Sequence, residues 1–442
     1  MLTRRQFIQS ASAAALVAGI PNLRATVPAP ARFKNLVTGR RLRIAGVGVG
    51  NRGGIDTQAC AGEEIVALCD VDAVQARATF LAFPVAAQYR DFRKMLDELH
   101  DRIDAVTVST PDHMHFPVAM MAIERGKHVF VQKPLAHTIG EAQLLKAAAA
   151  RAGVVTQMGN QGQASEGALI TKEWIDAGVI GPVREVHCWT NRPIWPQGVL
   201  LPDPVQVIPE TLDWNLWQGV APERRYSPQY VPFKWRGYWD YGCGALGDMG
   251  CHVLNNPFLA LDLRGPVRVS AQCEGASEVA APQWSVITYE YPARGSRPPV
   301  KLVWYDGGKL PPVPAELGPG GKLARSGAYY RGDRGTIMDG TNYGTSPRLI
   351  PEEKMQAFTA RPPKILPRIK GGIHADWIAA CKGEGPAPCS NFVDHAADLT
   401  ELVLLGNVAI RAGKPLDWDP VRSVCVGAPE AARFIHKNYR LF

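Results

Sequence analysis

Three groups of residues in this sequence stand in patterns that can do chemistry. Asp248 and His252 are four apart in Gly247-Asp248-Met249-Gly250-Cys251-His252, so on a helix they share a face. A carboxylate beside an imidazole fixes its tautomer and stabilises the imidazolium, which suits a general base acting on an alcohol. A buried hydrogen-bonded pair is the plain structural alternative. Lys133, in Gln132-Lys133-Pro134, follows the apolar run Val129-Phe130-Val131. At the carboxyl end of a parallel strand a lysine can bind a substrate hydroxyl and favour the developing alkoxide; elsewhere, a lysine before proline is a solvated turn residue.

The third group, Gly48-Val49-Gly50-Asn51-Arg52-Gly53, fits G-x-G-x-x-G directly after a short apolar run. The first glycine permits a tight turn, the second lets backbone approach a pyrophosphate, and the third allows close helix–strand packing. The following helix N-terminus offers N–H groups and partial positive charge to phosphates. Asp70, 22 residues after Gly48, ends the next apolar run. There it can accept from both hydroxyls of an adenosine ribose and repel a 2′-phosphate, favouring NAD over NADP. Arg52 weighs the other way, because a guanidinium can bind that phosphate.

These residues need a scaffold, and the patterning of residues 41–160 supplies one. Short apolar runs at residues 42–47, 64–70, 103–109, 127–131 and 154–158 alternate with helix-length stretches at 90–100, 116–125 and 138–152. That alternation predicts a doubly wound parallel α/β sheet of the Rossmann type. After residue 180 longer strand-like runs, at 183–190, 267–273, 285–291 and 300–304, are separated by Pro- and Gly-rich connections. They predict a second α/β domain, residues 161–442, with an open, mainly antiparallel sheet. A long amphipathic helix is expected over 394–411.

The 442-residue length suits two domains. The first thirty-one residues read as a targeting segment. Thr3-Arg4-Arg5-Gln6-Phe7-Ile8 is a twin-arginine pattern, residues 8–20 are apolar and Ala-rich, and Ala29-Pro30-Ala31 offers a cleavage site. That pathway carries folded proteins, so a periplasmic or secreted location is expected. The net charge is +8, of which Arg4, Arg5 and Arg24 supply three. The remainder is dispersed, with no basic stripe interleaved with aromatics, which excludes a nucleic-acid-binding design. Nine cysteines are scattered without a C-x-x-C, and His113 and His115 lack a third ligand by spacing, so no metal is expected. Six of eleven tryptophans fall between 189 and 239, among tyrosines and the cations Arg192, Arg224, Arg225, Lys234 and Arg236. Such a stretch is either a sugar-stacking pocket or a packed loop cluster.

Taken together, Gly48-x-Gly50-x-x-Gly53, Asp70, Thr110-Pro111-Asp112-His113-Met114-His115, Gln132-Lys133-Pro134, Asp248-x-x-x-His252 and Leu416-Asp417-Trp418-Asp419 resemble the Gfo/Idh/MocA family of sugar and cyclitol oxidoreductases. The resemblance runs from about residue 41 to 442. It implies Lys133 as the lysine of the family's Glu-Lys-Pro motif, with glutamine standing here for the glutamate. It further implies His252 as catalytic base with Asp248 as its partner. Thr110, Pro111 and His115 would line the cofactor crevice, joined by Asn51, Arg52 and Gln132, and Gln161 would sit near the nicotinamide. It implies bound NAD, a carbohydrate substrate and association into dimers or tetramers. Three readings stay open: a sugar or glycoside oxidoreductase, a redox-neutral glycoside-cleaving enzyme with bound NAD, and a non-catalytic sugar- or nucleotide-binding protein.

Overall fold

The computed structural model describes residues 33–203 and 207–442. The expected targeting segment lies outside the described residues. The first sheet comprises β1 (Arg43–Val47), β2 (Glu64–Cys69), β3 (Ala87–Tyr89), β4 (Ala105–Val108), β5 (His128–Val131) and β6 (Thr156–Met158). Its order is β3-β2-β1-β4-β5-β6, and every pairing is parallel. Alternate residues feed two separate clusters: Ala45, Val106, Val108, Val129 and Val131 enter one, Ile44, Ala105 and Phe130 the other. Both faces are therefore covered, which is why these strands read as unbroken apolar runs. β3 escaped the sequence reading because Ala87-Gln88-Tyr89 is short and no residue in it is fully buried.

Helices α1 (Arg52–Ala59), α2 (Ala73–Ala82), α3 (Phe92–Glu98), α4 (His115–Glu124) and α5 (Ile139–Ala152) connect the strands. The bounds of α5 follow from its ends. Thr138 and Glu141 form a reciprocal capping box, and Gly153 closes the helix at φ 65°. Register aligns the strand ends: Val47 pairs with Cys69 and Val108, and Val131 with Val108 and Met158. The residues that follow those ends, Gly48, Asp70, Ser109, Gln132 and Gly159, therefore emerge along one edge.

After α6 (Glu166–Asp176) the second sheet is assembled from β7 (Val183–Trp189), β8 (Arg268–Glu274), β9 (Trp284–Tyr291), β10 (Val300–Tyr305), β11 (Gly327–Gly332), β12 (Gly335–Asp339), β13 (Arg348–Ile350), β14 (Leu416–Asp419) and β15 (Val424–Val426). Its order is β13-β12-β11-β7-β10-β9-β8-β14-β15, antiparallel except between β7 and β10. Between the sheets lie α7 (Gly244–Val253) and α9 (Ala397–Ala412), the latter buried almost throughout and packed on α5, α7 and β8. The expected 394–411 helix starts instead as a π-type turn over Phe392–Ala396.

Helix α8 (Gly372–Cys381) lies late in the chain, yet Ile373, Trp377, Ala380 and Cys381 complete the cluster around Leu42, Ile44 and Phe130 on the first sheet. The segment expected to belong wholly to the second domain thus returns to close the first. All nine cysteines are unpaired, and most are buried. No described helix is long and apolar enough to cross a membrane.

Candidate active site

The glycine loop is shaped by close backbone contact. A Cβ on Gly53 would lie 1.7 Å from the Gly48 carbonyl oxygen, and one on Gly48, at φ +73°, would lie 2.7 Å from the Thr110 nitrogen. Asn51 adopts φ 46°, a left-handed conformation for a side-chain-bearing residue, and its amide donates to Gln75 at 2.9 Å rather than capping α1. That leaves the start of α1 without a side-chain cap where phosphates bind in such loops.

Asp70 is engaged by the backbone around it. Its Oδ2 accepts from the Val49 and Gly50 N–H groups at 2.8 and 3.0 Å, and its Oδ1 from Asp72 N–H at 2.9 Å. Burial pushes its carboxyl up to about 6 against those three hydrogen bonds. It clamps the glycine loop, with ribose contacts confined to its remaining capacity.

Arg52 points away from Asp70. Its Nη2 donates to Asp56 at 2.8 Å. With the Gln161 amide turned to satisfy its neighbours, Gln161 accepts from Arg52 Nη2 at 2.5 Å and donates to the Gly159 carbonyl at 3.2 Å. The Arg52 charge also reaches His252. This orientation removes the argument that Arg52 receives a ribose 2′-phosphate.

Lys133 joins the site from the end of β5. Its Nζ donates to the Asp248 carbonyl at 2.7 Å and to Asp248 Oδ1 at 2.8 Å, and Arg236 Nε approaches the same Oδ1 at 3.3 Å. Burial pushes Asp248 up, but the Lys133 and Arg236 charges outweigh it and bring its carboxyl to about 2. This corrects the expected pairing: although Asp248 and His252 both lie on α7, the carboxylate bonds to Lys133 and Arg236, not to the imidazole. His252 is buried with Nδ1 sealed and unpartnered. Burial first, then the Lys133 charge, lowers it to about 3, against the pull of Asp248. The ring is therefore neutral. It meets Tyr343 edge-on, centroids 4.9 Å apart.

Thr110 Oγ1 and Arg52 Nε, both beside the glycine loop, are buried without a partner. Together with the close-packed glycines, these residues fit a dinucleotide. Pro111 follows Thr110 at the crevice rim, half-buried. His115 does not line the crevice with a free edge: its ring nitrogens lie 2.7 Å from the Pro134 carbonyl and 2.8 Å from that of Thr110. It braces the loops after β4 and β5 against each other. Gln132 also faces inward, onto Asp56 at 2.8 Å. His113 spends its ring nitrogens on the Tyr241 and Trp217 carbonyls, at 3.3 and 3.0 Å.

The aromatic stretch is mainly a packed cluster. Trp214, Trp217, Tyr230, Tyr238 and Tyr241 are buried against one another, with Trp214 and Trp217 stacked at 4.8 Å. Arg236 is the member that reaches the site, its guanidinium over Trp235 at 4.3 Å and Phe233 at 4.5 Å. Sequence reasoning missed three neighbours. Asp112 is buried, accepts from Cys243 N–H at 3.1 Å, and feels Lys133, Arg236 and Asp248. Tyr343 comes from the β12–β13 connection, which Asp339 and Ser165 hold in place. Asp56, one helical turn beyond Arg52, is the one whose spacing carried a signal.

Two family models match this chain. One, described as an oxidoreductase family, NAD-binding Rossmann fold, covers residues 42–160; the other, described as an oxidoreductase family, C-terminal alpha/beta domain, covers residues 183–323. Levoglucosan dehydrogenase of Pseudarthrobacter phenanthrenivorans is 26% identical over 165 residues, 37% of this chain and 34% of that protein. A glycosyl hydrolase family 109 protein of Shewanella pealeana is 39% identical over 111 residues, 23% of this chain and 24% of that protein. The chain thus spans about a third of the first relative's length and about a quarter of the second's. The WlbA dehydrogenase of Bordetella pertussis, solved with NADH and UDP-GlcNAcA, superposes with a TM-score of 0.61 at 16% identity, covering 86% of this chain and 99% of that one. That likeness is one of fold.

Proposed function

The chain belongs to the Gfo/Idh/MocA oxidoreductase family, and from that premise we propose that it is an NAD-dependent oxidoreductase moving a hydride between a hydroxyl-bearing carbon of a sugar or glycoside and bound nicotinamide. The observation that carries this reading is the Lys133–Asp248 ion pair beside a buried, neutral His252, at the edge where the parallel strands end. When bound, the nicotinamide supplies the hydride acceptor. With Nδ1 sealed, His252 Nε2 is the atom left to take the hydroxyl proton. The Lys133 ammonium, whose charge reaches His252, would donate a hydrogen bond to the substrate oxygen and favour its anionic form. Asp248 keeps that ammonium in place, and Arg236 extends the cationic rim.

The twin-arginine segment supports export of the folded protein to the periplasm or beyond, with NAD loaded beforehand and retained. Retention requires the nicotinamide to be restored on the enzyme, by a second carbohydrate or by a redox-neutral cycle. The identity shared with a glycosyl hydrolase family 109 protein favours the latter as a second reading. A second copy of the chain is the expected partner, through the nine-stranded sheet.

The test is the absorbance and mass of the nucleotide released by acid from purified protein, before and after a panel of sugars and glycosides. NAD that becomes reduced on the enzyme supports the oxidoreductase. NAD that stays oxidised while a glycoside is cleaved supports the redox-neutral reading. Absence of any bound or bindable nucleotide overturns both.

A further inference from the structure

The glycine-loop helix carries a buried carboxylate for which the reaction above has no use. Asp56, on α1, is fully buried and accepts four hydrogen bonds. Its Oδ1 accepts from Arg52 Nη2 at 2.8 Å and from His374 Nε2 at 3.0 Å. Its Oδ2 accepts from Ser109 Oγ and from Gln132 Nε2, both at 2.8 Å. The donors arrive from four places: the first turn of α1, the end of β4, the end of β5, and α8. His374 is itself stacked on Phe130 of β5, centroids 4.5 Å apart. Burial pushes the Asp56 carboxyl up, but His374, Arg52 and Ser109 together outweigh it and hold it below its ordinary value.

Gln132 has no freedom to face elsewhere. It is buried, and a Cβ on Gly159 would fall 2.6 Å from its Nε2 and 2.8 Å from its Oε1. The amide is thus confined between the Gly159 backbone and Asp56. A glutamate here would set a second carboxylate against the first at hydrogen-bonding distance. Like charges that close repel, so one of the two carboxyls takes up its proton at a pH well above the usual carboxylate range. Arg52 has the opposite need. A cation at the first position of a helix faces the positive end of the dipole, and Asp56, one turn on, offsets that cost while fixing the guanidinium in the crevice beside Gln161.

We propose that Asp56 and Gln132 are a matched pair of positioning residues: Asp56 sets the Arg52 guanidinium for the dinucleotide, and the glutamine of Gln132-Lys133-Pro134 stands where an acid would disable it. This rests on the NAD-binding reading. The titratable groups facing Asp56 are Arg52 from its own helix, His374 from α8 and the buried Cys60; β4 and β5 contribute only the neutral Ser109 and Gln132.

The experiment measures NAD affinity by calorimetric titration between pH 5.5 and 8, on purified protein first freed of any nucleotide it carries, with thermal melts as a folding check. Gln132→Glu is expected to weaken binding by about tenfold or more at pH 7.5, the scale of losing a charge-assisted hydrogen bond. The loss should shrink towards pH 5.5 as the opposed carboxylates take up a proton. Asp56→Asn combined with Gln132→Glu again faces one amide with one acid, and should recover most of the affinity. Arg52→Lys, at a partly exposed position, keeps the charge but not the fork, and should weaken binding similarly even if Gln132→Glu does not fold. Wild-type protein that binds NAD while Gln132→Glu or Arg52→Lys binds equally well overturns the pair. So does a Gln132→Glu loss that is independent of pH and not recovered in the double variant. Wild-type protein that binds no NAD defeats the parent reading instead.

Discussion

Lys133 and Asp248, 115 residues apart in the chain, meet in a 2.8 Å ion pair that joins the end of β5 to α7. The pair brings a cation and a buried base together without spending the base's own nitrogens. Lys133→Ala should therefore leave Asp248 held only by Arg236 and lower kcat by about 10²- to 10⁴-fold, as for loss of one electrostatic or acid–base group. NAD affinity should change little. Steady-state rates set beside NAD titrations check this; a variant retaining most of its kcat contradicts the assignment.

The pH profile should distinguish His252 from Asp112. His252 is held down to about 3, so it is already the neutral, proton-accepting form throughout pH 5–8. Asp112 is pushed up by burial, against Lys133 and Arg236, to about 6. As pH falls through 6 it takes a proton and its negative charge beside Lys133 is lost. The acid limb of kcat/KM should accordingly lie near pH 6 and disappear in Asp112→Asn. His252→Ala should abolish turnover at every pH with NAD still bound. A limb near 6 that survives in Asp112→Asn belongs to another group.

Asp70 holds the glycine loop through the Val49 and Gly50 N–H groups. Asp70→Ala should weaken NAD retention by about tenfold or more, because two loop N–H groups lose a carboxylate acceptor. The rate at saturating NAD should be nearly unchanged. Dialysis followed by nucleotide assay measures retention directly, and undiminished NAD content would show that the loop closes without this clamp.

Tyr343 is 40% exposed and lies against His252. An accessible ring beside the base is placed to pack on the apolar face of a sugar. Tyr343→Ala should raise KM for the carbohydrate several-fold and leave NAD affinity intact, with Tyr343→Phe closer to wild type. An unchanged KM in the alanine variant would place the sugar elsewhere.

The sequence by itself determined five of the six strands of the first sheet, the glycine loop and the candidate residues Lys133, Asp248 and His252. Each of these rests on local rules: unbroken apolar runs for strands buried on both faces, glycines where a Cβ has no room, a lysine just past a strand end, and an acid and a histidine four apart on one helix. It also exposed the departure at Gln132, without its cause. What each polar group bonds to was settled by tertiary structure alone. Asp248 and His252 share a helix, yet Asp248 turned to Lys133 because a buried carboxylate gains more from a full cation than from a neutral ring. Asp70 was taken up by the loop in front of it, and His115 by two carbonyls. The tryptophans packed on each other because large apolar faces bury wherever the chain lets them meet. The four donors to Asp56 come from segments up to 318 residues away. No spacing rule reaches that far, so the reason for glutamine at 132 became visible only once His374, Ser109 and Arg52 had been brought to the same carboxylate.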